Sequence, residues 1–70
     1  MSEAAELEIL TLINDLNSQL DKLIAHRIQL LAYLQLKVHQ RDWYGVANAA
    51  MDIREVEAKH TVLLNVRERI

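Results

Sequence analysis

Apolar residues along the first half of the chain recur in alternating steps of four and three: Ile9, Ile13, Leu16, Leu20, Leu23, Leu30 and Leu34, with Arg27 as the one charged member. That spacing puts every member on one side of an α-helix and is the a/d pattern of helices packed lengthwise. A second series, Leu10, Ile13, Asn17, Leu20, Ile24, Ile28, Leu31 and Val38, runs beside it and widens the stripe enough to touch two neighbours. After a break the pattern returns as Val46, Ala49, Ile53, Val56, His60, Leu63, Arg67 and Ile70. Helix interiors exclude proline and disfavour glycine by about 1 kcal/mol, and this chain of 70 residues has no proline and one glycine, Gly45. The spacing therefore predicts one helix over about 2–40, with Ser2 as its cap. A second is predicted over about 43–69, capped by Asp42 and with Trp43, Tyr44 and Gly45 in its first turn. Proline at position 45 is expected to be harmless only if Gly45 lies there, because first-turn N–H groups lack helical partners.

A connection this short makes the helices antiparallel neighbours and pairs positions whose numbers add to about 84. Val38 then meets Val46, Leu34 meets Ala49 and Ala50, Leu31 meets Ile53, and Arg27 reaches Glu57. Ala47, Ala49 and Ala50 leave room for Leu34 or Tyr33. The second helix runs out opposite Ile13, so about a dozen residues of the first overhang it. A single domain over 1–70 is expected: an all-α, antiparallel two-helix hairpin with a long first helix. Chains this small seldom stabilise a core alone, and 51% hydrophobic residues are many for a hairpin with most of its surface wet. The expected remedy is a homodimer, a four-helix coiled-coil-like assembly with a seam of Ile9, Ile13, Leu16, Leu20, Leu23, Leu30, Leu34, Ile53, Val56 and Leu63.

Composition narrows the chemistry. The absence of cysteine rules out disulfides and thiolate zinc sites and favours the cytoplasm. Apolar runs such as Leu30-Leu31-Ala32-Tyr33-Leu34 are too short to span a membrane, and the acidic opening speaks against a signal peptide. Glu3, Glu6, Glu8, Asp15 and Asp21 precede the first base, Lys22, giving a charge of −5 over residues 1–21. These acids suit a helix N-terminus, and they also offer a face to a basic partner.

His26, His39 and His60 form no i, i+4 ligand pair, and Ser2 and Ser18 lack a nucleophile's elbow, so no metal, cofactor or catalytic group is expected. Residues 13–27 resemble the long first helix of the all-helical chorismate mutases, Arg27 included. The positions matching that family's other helix-one cations hold Leu10 and Val38, so the substrate-binding charges are missing. Size and architecture are also similar to plasmid RNA-binding hairpin dimers. A net charge of −2 and scattered Arg41, Arg67 and Arg69 argue against phosphate binding.

Arg41, Trp43 and Tyr44 are the residue types enriched in interface hot spots, and with Glu3, Glu6, Glu8, Asp15 and Asp21 they form the candidate partner interface. The alternative role for the aromatic pair is internal, with Trp43 plugging the bundle end and Tyr44 leaning on the first helix. The stretch from Arg41 to Glu55, RDWYGVANAAMDIRE, resembles the small early proteins of Mu-like temperate bacteriophages, and among these the quorum-sensing anti-activators. That resemblance implies a non-enzymatic, dimeric helical protein of the host bacterial cytoplasm. It would bind a host LuxR-type transcription regulator and block its hold on DNA, with a pilus-assembly ATPase as a further target.

Overall fold

A computed structural model describes residues 3–70. The chain is two helices and a turn: α1 spans Glu3–His39 and α2 spans Trp43–Arg69. At 1.5 Å per residue the 37 residues of α1 make a rod of about 55 Å, which sets the long dimension of a molecule measuring 58 × 15 × 12 Å. The shortest dimension is the thickness of one helix with its side chains. Among the described residues there is no second layer, and burial is confined to the seam between the two helices. Among the described residues no helix is long and apolar enough to cross a membrane. The expected cap Ser2 lies outside the described residues.

The turn is built by backbone hydrogen bonds that close the end of α1. The N–H of Arg41 donates to the Val38 carbonyl at 3.0 Å and that of Asp42 to the Lys37 carbonyl at 2.9 Å. This paired pattern is a Schellman ending, and it places its last-but-one residue in the left-handed region. Arg41 occupies that place with φ 57°. Glycine is the residue that adopts such a φ without strain, and the chain's glycine is elsewhere. Gly45 is helical with an ordinary negative φ, and its role is close approach. A β-carbon there would stand 2.7 Å from Lys37 Cδ and 2.9 Å from Asp42 Oδ2, closer than real carbons come.

Asp42 caps α2 as expected, its Oδ1 accepting from the Gly45 N–H at 3.1 Å. The condition for tolerating proline at 45 is met, but it is not enough. Gly45 does lie in the first turn, but its N–H is the one the cap uses.

Two polar contacts mark the register. Arg27 and Glu57 stand 3.9 Å apart, and Arg67 Nη1 donates to Asn17 Oδ1 at 2.9 Å. Each pair's numbers add to 84, the expected antiparallel pairing. Along that register Leu16, Leu20, Ala49 and Val56 are buried, while Ile9, Ile13, Leu23, Leu30, Leu34, Ile53 and Leu63 are half-buried. Some finer pairings need correction. Leu31 and Val38, expected opposite Ile53 and Val46, are exposed, and the seam is filled by Leu30 and Leu34. A helix turns 100° per residue, so consecutive leucines cannot both face one partner. Only Ala49 of the three alanines is buried, and Ala47 and Ala50 face solvent.

Candidate protein-binding surface

The corner between the helices is held from α1 by Lys37. Its ammonium stands 3.5 Å from Asp42 Oδ2, 3.4 Å from Gln40 Oε1 and 5.1 Å from the centre of the Tyr33 ring. A Schellman ending commonly joins the first and last residues of its six-residue motif by a hydrophobic contact. Here those residues are Lys37 and Asp42, and an ion pair takes that place. The Asp42 carboxylate is held below the ordinary carboxylate range, chiefly by the hydrogen bond from the Gly45 N–H. Partial desolvation opposes this, and Lys37 reinforces it as hydrogen-bond donor and as charge.

This arrangement carries Trp43 and Tyr44 outward. They retain 64% and 88% of their exposure, so in the single hairpin neither plugs the end of the helix pair and Tyr44 does not lean on α1. Arg41 is exposed beside them. The five acids lie along the first half of α1, all exposed, and among the described residues none of their carboxylates joins an ion pair. Arg41, Trp43 and Tyr44 thus gather at one end of the rod, and Glu3, Glu6 and Glu8 at the other, with Asp15 and Asp21 between.

More informative is what the hairpin leaves uncovered. Among the described residues fifteen large apolar side chains stay exposed while four apolar residues are buried, and no large side chain is completely enclosed. Ten of the exposed ones fall on two flanks of the seam. On one flank, the heptad series Leu10, Ile24, Leu31 and Val38 is joined by Ile28. On the other lie Leu12, Tyr33 and Leu36 of α1 with Val62 and Val66 of α2. Each flank has an open groove between the helices. One, of about 490 Å³, has Ile24, Arg27, Glu57 and Thr61 in its walls; the other, of about 600 Å³, has an apolar floor of Leu23, Val62 and Leu63 and a rim of Lys22, His26 and Lys59. Both are wide enough to receive the side chains of a facing helix.

No protein-family model, curated protein or solved structure matches this chain.

Sequence spacing exposed the first flank as a second seam, but it missed the other. Leu12, Tyr33 and Leu36 do not continue a three-four series of their own. The available signal was their placement: Leu12 and Tyr33 precede seam residues Ile13 and Leu34 by one position, the side of the stripe opposite the second seam. Lys37 was missed as well, although it continues the seam three residues after Leu34 and so had to face α2.

Proposed function

We propose that this chain acts by binding proteins, itself first, and performs no chemistry of its own. The observation that carries this reading is the fifteen large apolar side chains left exposed on a hairpin one helix thick. Apolar surface left open between charged rims marks interaction sites. Dimerisation covers part of this surface, and what remains suits a further protein.

The partner proposed is a DNA-binding regulator of the LuxR type, as the resemblance of residues 41–55 to the phage anti-activators implies, with a pilus-assembly ATPase as a further target of the same surface. A regulator's DNA-reading face is basic because it must neutralise phosphates. Glu3, Glu6, Glu8, Asp15 and Asp21 supply unpaired negative charge to steer it, and exposed Tyr44 with Trp43 and Arg41 supplies anchors of the kind that dominate interface energies.

Calorimetry with purified LuxR-type regulators, followed by promoter gel-shift with this protein in excess, tests the reading. Stoichiometric binding that weakens with salt and releases the promoter is expected. A regulator that shows no heat of binding at low salt, or that still shifts its DNA, overturns the anti-activator function.

A further inference from the structure

The uncovered flank of α1 has a symmetry that identifies its occupant. Leu10, Asn17, Ile24, Leu31 and Val38 are spaced by seven residues, and Ile24 is the midpoint of the series. All but Asn17 are exposed. An evenly spaced row can be laid antiparallel on a second copy so that each position meets a member of the same row, with Asn17 facing Leu31. That is the requirement of a two-fold interface.

Charge selects the same arrangement. Residues 3–21 of the chain carry five acids and no base, whereas residues 22–41 carry Lys22, Arg27, Lys37 and Arg41 and no acid. A parallel pairing of α1 with its copy would set like charges beside like along the whole contact, and an antiparallel pairing sets the acidic half against the basic half. The helix dipoles also oppose one another only in the antiparallel case.

We infer that the protein dimerises through this flank, α1 against α1, antiparallel about a two-fold axis at Ile24. This rests on the self-association part of the reading above and is independent of the host partner. In this register Leu10 of one copy faces Val38 of the other, Ile24 faces Ile24, and Leu31 covers the Asn17–Arg67 hydrogen bond. Asp21 comes opposite Arg27 of the second copy, and the Glu6–Glu8 segment comes opposite the Arg41 turn. The eleven residues of α1 beyond the reach of α2, from Glu3 to Ile13, then lie against the turn and the Trp43 end of the other hairpin. That gives Leu7 and Leu10 cover that their own α2, packed on another face of α1, does not provide. The opposite flank, with Leu12, Tyr33 and Leu36, stays free for another protein.

The chain has no cysteine, so single cysteines report the geometry directly. Ile24→Cys, oxidised at micromolar concentration, is expected to give a covalent dimer by itself. Leu10→Cys and Val38→Cys are each expected to stay uncrosslinked alone and to crosslink when mixed and reannealed, since a disulfide needs Cα atoms within about 7 Å. Circular dichroism on each variant checks that the helices persist. A covalent dimer from Leu10→Cys or Val38→Cys alone shows a parallel arrangement and overturns the inference while leaving a dimer in place. A dimer by sedimentation in which neither Ile24→Cys nor the mixture crosslinks shows that another flank is used. A folded monomer by sedimentation overturns the self-association reading as well.

Discussion

The stem of Lys37 lies across Gly45, so close that a β-carbon on the glycine would come 2.7 Å from Lys37 Cδ. α1 and α2 can thus approach at the turn only because residue 45 has no side chain, and Lys37 is thereby held in place to bind Asp42 at 3.5 Å.

Gly45→Ala should be destabilising by about 1 kcal/mol, the overpacking outweighing the helix propensity that alanine gains. In a Lys37→Ala background the same change should cost less, because the lysine stem is gone and only Asp42 Oδ2, 2.9 Å from the β-carbon, still crowds it. Chemical denaturation of the four variants gives the coupling. Additive effects would show that the stem does not obstruct the site.

Asp42→Ala should lower the melting temperature by several degrees, and Asp42→Asn should retain most of it, since asparagine also accepts from the Gly45 N–H. The folded-state pKa of Asp42 lies below its ordinary value of 3.8. The charged cap therefore contributes its full stability above pH 3.8 and loses it as the pH falls through the lower, folded-state value. Thermal melts from pH 6 downward should show an acid-side loss that Asp42→Asn reduces. An identical acid profile in both proteins would mean the cap is not titrating there.

Arg41→Gly should stabilise the hairpin by about 1 kcal/mol, relieving the left-handed φ of 57° at a residue with a β-carbon. The comparison is best made in about 1 M salt, where loss of the arginine's charge has little effect. A destabilised Arg41→Gly under those conditions would place the helix ending elsewhere.

The helices, their antiparallel register and the Asp42 cap were legible because each has a local signal: a three-four apolar rhythm, a short breaker-bearing connection and a capping residue before an apolar run. The left-handed residue was not, since Arg41 carries none of the glycine or asparagine preference that marks such a position. Nor was the reason for Gly45, which depends on a side chain eight positions earlier. Leu31 was misplaced because two overlapping seams run through α1 and only burial separates the one that α2 covers from the one it leaves open. The exposed aromatic corner was legible as Trp43 and Tyr44, while its freedom from the hairpin's interior required the geometry of the turn.

Leu20→Asp should abolish folding, because it buries a carboxylate at the least exposed large side chain of the hairpin, 3% accessible, at a cost of about 3 kcal/mol or more. Leu36→Asp, on the outer flank at 49% exposure, should change stability by no more than about 0.5 kcal/mol. Circular dichroism distinguishes the two. A folded Leu20→Asp would mean that the seam is not what holds the helices together.

Sedimentation equilibrium across a concentration series, with helix content followed at the same concentrations, tests the proposed self-association most directly. A chain of 8.1 kDa whose large apolar side chains stay mostly exposed in one hairpin should sediment as a folded dimer at micromolar concentration and lose helix as dilution separates the copies. A fully helical species of 8.1 kDa at those concentrations, unchanged on dilution, would contradict it.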